Sequence, residues 1–163
     1  MRLPEEPVLP RGLKHRAVIH GEAHLSPRGR GRIRLEAQGL FTRRAVALGG
    51  GRLEPGLYRV HLWFRTDLEG LVAQVAVPKR ELLAQVPVGF TPGVPLRFFV
   101  LGEWLGAEKG VGRVRVVPAK APAFVVSFLA VRPHPLPPAG NLVAVFGRVE
   151  RGRLLGEMAV AVG

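Results

Sequence analysis

Apolar and polar residues alternate along most of this chain with the two-residue period of a β-strand. From Leu57 to Thr66 the residues Tyr58, Val60, Leu62 and Phe64 fall on one face, and Arg59, His61, Trp63 and Arg65 on the other. The first set reads as a core face; the second interleaves cations with an aromatic. Gly31–Ala37 has the same form, with Ile33 and Leu35 opposed to Arg32 and Arg34. Glycine and proline punctuate these runs as turn signals. The pattern predicts strands at Lys14–Glu22, Gly31–Ala37, Leu40–Leu48, Leu57–Thr66 and Leu71–Val77. It predicts a second set at Leu96–Trp104, Val111–Val117, Ala123–Arg132, Asn141–Val149 and Arg153–Val162. Between the sets the alternation breaks. Pro78 stands at a first helical position before good helix formers up to Gln85, which predicts about two turns of helix. Val86–Val94, rich in proline and glycine, reads as a linker.

The two sets are related. Displaced by 81 residues, Arg16 falls on Arg97, Gly21 on Gly102, Glu22 on Glu103, Gly29 on Gly110, Gly31 on Gly112, Arg32 on Arg113 and Arg34 on Arg115. Each copy reads as an apolar strand, Gly-Glu, a basic glycine-containing loop, then Gly-Arg-apolar-Arg-apolar. This is the signature of an internal duplication. Five short strands per copy, with a long connection between the third and fourth, are the plan of an OB-fold. SH3-like barrels and small sandwiches share the strand count. The expected fold is therefore all-β: two tandem five-stranded OB-like barrels with a short helix in the linker. The expected divisions are an extended arm at 1–12, a first barrel at 13–77, the linker at 78–94 and a second barrel at 95–163.

Composition sharpens this reading. The chain carries 24 basic and 12 acidic residues, a net charge of +12, and the excess is spread over both copies. Such a field favours a polyanionic partner; a general bias toward arginine is the plainer explanation. There is no cysteine, so neither a disulfide framework nor a thiolate metal site is available. The scarcity of Asn and Gln suits a heat-adapted source. The longest apolar run, Ala123–Val131, is too short for a spanning helix. With no signal peptide evident, the expectation is a soluble, cytoplasmic protein without a membrane partner.

The candidate surface follows from the alternation. Single-stranded nucleic acid would lie across the outer face, with guanidiniums on phosphates and aromatics on bases. The residues nominated in the first copy are Arg32, Arg34, Phe41, Arg43, Arg59, His61, Trp63 and Arg65. Arg28 and Arg30, in the Arg/Gly loop Ser26–Arg32, would wrap the phosphate chain; a solvated hairpin is the alternative. Trp104, Lys109, Arg113 and Arg115 are the second copy's equivalents. Phe124 and Phe128 share a face that reads as core.

Gly140-Asn141-Leu142-Val143-Ala144-Val145-Phe146-Gly147-Arg148-Val149, followed by the basic hairpin Glu150-Arg151-Gly152-Arg153, resembles the fourth-strand region of bacterial single-stranded DNA-binding proteins. The resemblance implies an OB-fold and single-stranded DNA binding, with Arg148, Arg151 and Arg153 near the nucleic-acid backbone. Those proteins usually end in an acidic tail that recruits partners, whereas this sequence ends in Met158–Gly163; binding without that recruitment is expected.

Enzyme chemistry finds little purchase. The two serines, Ser26 and Ser127, lie in no nucleophile motif, and Asp67 is the sole aspartate. Gly49-Gly50-Gly51-Arg52 lacks the Lys-Ser/Thr of a phosphate loop. His20 and His24 share a strand face, but no carboxylate cluster completes a metal set. The reading is a non-enzymatic protein with no cofactor and no metal, whose partner is single-stranded DNA or RNA. The alternative is a structural or protein-interaction module assembling as a homodimer through exposed strands.

Overall fold

The computed structural model describes residues 14–47, 52–87, 91–130 and 138–162. The expected arm at 1–12 lies outside these residues, as do 88–90 of the expected linker. The chain is all-β. Its strands are β1 (Arg16–Gly29), β2 (Arg32–Glu36), β3 (Arg44–Ala47), β4 (Gly56–Thr66), β5 (Val72–Ala84), β6 (Arg97–Glu108), β7 (Val111–Val116), β8 (Phe124–Ala130), β9 (Leu142–Glu150) and β10 (Arg153–Val162).

The first five strands close into a barrel. β1 pairs with β2, β2 with β3, β3 with β5, β5 with β4, and β4 with β1, and only the β3–β5 contact is parallel. This closed order is compatible with an OB-like fold. In the other five, β6 pairs with β7, β7 with β8, β8 with β10 in parallel, β10 with β9, and β9 with β6.

The expectation of self-contained barrels on either side of a helical linker needs correction. The ten strands form one continuous sheet, joined where β1 runs antiparallel to β6. Arg16 lies opposite Leu101, Val18 opposite Phe99 and His20 opposite Arg97. In the sequence repeat Arg16 corresponds to Arg97 and His20 to Leu101, so each end of the contact meets the counterpart of the other. That is the geometry of an isologous, two-fold contact. The main core runs through the junction: Ile19, Val60 and Leu62 belong to the same buried cluster as Phe98, Trp104, Val114 and Leu154. Full burial of each large apolar side chain contributes about 1.5–3 kcal/mol. Polar contacts reinforce the seam. The Gly152 amide donates to the Gly39 carbonyl at 2.7 Å, and the Ser127 amide donates to Thr66 Oγ1 at 3.0 Å. Gly39 has φ +91°, and a Cβ there would collide with the Val149 carbonyl, so this approach requires glycine.

The predicted helix at Pro78–Gln85 is instead the distal half of β5. Lys79, Arg80, Glu81 and Leu82 pair with His61, Val60, Arg59 and Tyr58. Pro78 sits where the register shifts between His61 and Trp63. An amide is not needed at a bulge, so proline is tolerated there. Tertiary pairing outweighs a helix propensity of only tenths of a kcal/mol per residue. The stretch between the first two predicted strands, His24–Arg30, is also mostly strand, since β1 runs on to Gly29. His24, Leu25 and Ser26 are buried in β1, and His24 Nε2 donates to the Val86 carbonyl at 2.8 Å. What remains is a tight hairpin at Arg30-Gly31, with φ +52° and +74°. Both central residues of a type I′ turn need positive φ. Lys109-Gly110 (+52°, +78°) and Arg151-Gly152 (+51°, +78°) turn in the same way. Gly31 is thus matched by Gly110 in space, not by Gly112 as in the sequence repeat. The third strand starts at Arg44 and not at Leu40.

Trp104 is 1% exposed and packs against Phe128, ring centroids 6.0 Å apart. Trp104→Ala should therefore lower the unfolding free energy by about 3–5 kcal/mol. Trp63→Ala, on the surface, should change it by less than about 1 kcal/mol. Urea denaturation of both variants checks this, and similar costs at the two sites would contradict the placement.

Candidate nucleic-acid interface

β2, β3, β5 and β4 lie side by side, and their register sets up one outer row. Arg32 is opposite Val46, Val46 beside Ala76, and Ala76 opposite Trp63. Facing side chains across a ladder share a face. The row therefore has a cation at one end, an indole at the other, and small apolar residues as its floor. Alongside it, Arg34 faces Arg44, and Gln74 faces Arg65. Like charges directly opposite on a sheet are destabilising. Arg34 is compensated: its Nε lies 2.7 Å from Glu36 Oε1, an ion pair that is not aligned as a hydrogen bond.

This face forms one wall of a cleft of about 1240 Å³. The other wall comes from the second half of the chain, from Val116, Pro118, Lys120, Ala121 and Phe124. The cations lining it are Arg16, Arg28, Arg32, Arg44, Arg65 and Lys120, and among the described residues no carboxylate lines it. Among the described residues none of these six forms a salt bridge. Two are held by aromatics: the Arg65 guanidinium lies 3.6 Å from the Phe124 ring centroid, and Arg16 lies 4.9 Å from that of Phe99. Such contacts contribute about 0.5–2 kcal/mol and orient the guanidinium while leaving its charge in place. Arg65 Nη1 also donates to the Phe64 carbonyl at 3.0 Å. Trp63 is 54% exposed at the cleft. Same-sign charges in a low-dielectric cleft focus their field and concentrate anions.

Of the residues nominated from the sequence, Arg28, Arg32, Trp63 and Arg65 come together in this cleft. Arg30 stands exposed on the adjoining β1–β2 turn. Arg59 pairs with Glu81 at 3.3 Å, Arg115 with Glu103 at 4.0 Å, and Arg153 with Glu69 at 3.4 Å. Arg148 Nε donates to Glu150 at 2.8 Å, and Arg113 donates to the Leu68 carbonyl at 3.2 Å. His61 lies on the outer face of β4, opposite His20. Arg43 is exposed in the β2–β3 connection and Lys109 on the β6–β7 turn. Phe41, 66% exposed, lies away from the cleft, in a smaller recess with Pro95 and Arg151. Trp104 is a correction: it belongs to the core and reaches no surface, because its side of β6 faces inward. Arg16, Arg44 and Lys120 were missed. Arg16 had a signal in its identity with Arg97 across the repeat. Arg44 needed the true start of β3, since a shift of one residue exchanges the faces. Lys120 lies in irregular backbone and had none.

Among the described residues no helix is long and apolar enough to cross a membrane. Comparison with known proteins gives no matching family model, no matching curated protein and no matching solved structure.

The two tryptophans allow the cleft's field to be measured. Iodide, an anion, should quench the exposed Trp63 several-fold more efficiently than caesium at equal low ionic strength. The difference should vanish in Trp63→Phe, which leaves only the buried Trp104. Equal quenching by the two ions in the unmodified protein would show that the cleft does not concentrate anions.

Proposed function

We propose that this protein binds single-stranded nucleic acid without catalysing a reaction, through the cleft between its two halves. The observation that carries the reading is the set of six cleft cations, unmatched by carboxylates among the described residues, around the exposed Trp63. Guanidiniums without carboxylate partners are available to phosphates, and an exposed indole offers a stacking platform to any base. The small residues Val46 and Ala76 leave room above the sheet for a base to lie flat. The pairing order of each half supports reading both as OB-like rings, an architecture suited to single strands. DNA and RNA both present the phosphates and bases this chemistry recognises.

A second reading, a homo-oligomeric interaction module, is favoured by one feature. Met158 and Val160 of β10 are exposed apolar residues that pair with Phe146 and Ala144 of β9, beside a small buried cluster of Phe99, Leu101 and Ala144.

Fluorescence anisotropy with labelled single-stranded DNA, single-stranded RNA and duplex separates the two. Under the first reading log K falls with log salt with a slope of about −3 to −4, since each phosphate contact on a single strand contributes about −0.7. Trp63→Ala should weaken binding by about 1–3 kcal/mol, the value of one stacked base. Affinity indifferent to salt would remove the phosphate contacts. No retention on any oligonucleotide, with concentration-dependent assembly, would favour the second reading.

A further inference from the structure

A second cationic feature lies outside the cleft. Direct cross-strand pairing sets Lys79 of β5 opposite His61 of β4, His61 opposite His20 of β1, His20 opposite Arg97 of β6, and Arg97 opposite Arg148 of β9. Five basic groups thus stand in one file across five adjacent strands, crossing the seam between the two halves at His20 and Arg97. Neighbours of like charge in such a file repel unless something compensates them.

Compensation is confined to one end. Glu157 lies 3.4 Å from Arg97 and 3.9 Å from Arg148, and Glu150 lies 2.8 Å from Arg148. At the other end, among the described residues, Lys79, His61 and His20 form no salt bridge with a carboxylate. The neighbouring file is Glu81, Arg59 and Glu22, in which Arg59 is already engaged by Glu81 at 3.3 Å. The His20 and His61 rings are 6.4 Å apart and tilted by 50°, with no direct stacking to satisfy them. His61 lies on the same face of β4 as Trp63 and two residues away, about 7 Å along the strand.

We infer that Lys79, His61 and His20 form an anion subsite that holds a backbone phosphate of the strand whose base stacks on Trp63. The inference rests on the nucleic-acid reading above and extends it across the seam. The groups facing His20 are His61 from β4, Arg97 from β6, and, one step along, Glu22 on β1 with Arg59 opposite it. Burial, then the charges of His61 and Arg97, hold the His20 imidazole below its ordinary range. A depressed imidazole is neutral at pH 7 and gains its proton only as the pH falls further. A bound phosphate stabilises the protonated form, so affinity must rise as the pH falls.

Anisotropy titrations of the full chain with a labelled oligothymidylate, at pH 7.5 and pH 5.5 and several salt concentrations, test this. The unmodified protein should bind about tenfold more tightly at pH 5.5, with a log–log salt slope steeper by about 0.7–1.4, one or two added phosphate contacts. In His20→Gln/His61→Gln the ratio of affinities at the two pH values should fall to near one. His61→Gln alone, at an exposed position, should lose a large part of that ratio, so a folding defect in the double variant leaves the question answerable. Trp63→Ala should weaken binding at both pH values and keep the ratio. Binding at pH 7.5 without a gain at pH 5.5, or an undiminished gain in both histidine variants, overturns the subsite and leaves the cleft standing. No binding at either pH overturns both.

Discussion

Five residue pairs between β1 and β6, from Arg16–Leu101 to His20–Arg97, determine most of what is particular to this molecule. They merge two sets of strands into one sheet and allow the core to continue from Ile19 to Phe98. They also bring the 116–124 segment of the second half over the outer face of the first, which turns an open sheet surface into a cleft. Without that wall, Arg32, Arg44 and Trp63 would be a solvated basic face, where exposed charges are screened within about 10 Å. With it, the same residues act on a confined volume.

The two halves resemble each other in turn geometry more than in where their cations gather. Both turn their first hairpin with a cation at positive φ followed by glycine. Both halves also pair some arginines with carboxylates: Arg34 with Glu36 and Arg59 with Glu81 in the first, and Arg115 with Glu103, Arg148 with Glu150 and Arg153 with Glu69 in the second. Among the described residues, the five cleft arginines that form no salt bridge, Arg16, Arg28, Arg32, Arg44 and Arg65, all belong to the first half, joined by Lys120 from the second. Net charge therefore gives a poor guide to where a polyanion would bind; the distribution of carboxylates is more informative, since an exposed ion pair is worth under about 1 kcal/mol but removes a cation's long-range field.

Strand positions were legible because alternation is a local property. Arg153–Val162 and the run ending at Thr66 appear at the predicted places, with at most one end shifted. Interruptions of the pattern were misread wherever a long-range partner overrode local preference. Pro78–Ala84 has a helix-forming composition but is held as strand by β4, and His24–Ser26 has polar members but is buried by neighbours on both sides. The candidate site was half legible for the same reason. Arg32, Trp63 and Arg65 announce themselves by strand parity. Arg16 and Lys120 join them only through a contact between segments some 100 residues apart in sequence, which no local pattern encodes.

The β1–β6 contact has a further consequence, because an antiparallel pairing of equivalent strands is one that two separate copies of a single-ring chain could make with each other. Joining them in one polypeptide replaces association from dilute solution by an encounter at an effective concentration on the order of millimolar. It also lifts the requirement that both partners be identical. A symmetric pair would have to carry two clefts, each compromised by serving as the other's wall. The tethered pair is free to specialise, with one half presenting the arginine-lined face and the other supplying the roof of the cleft.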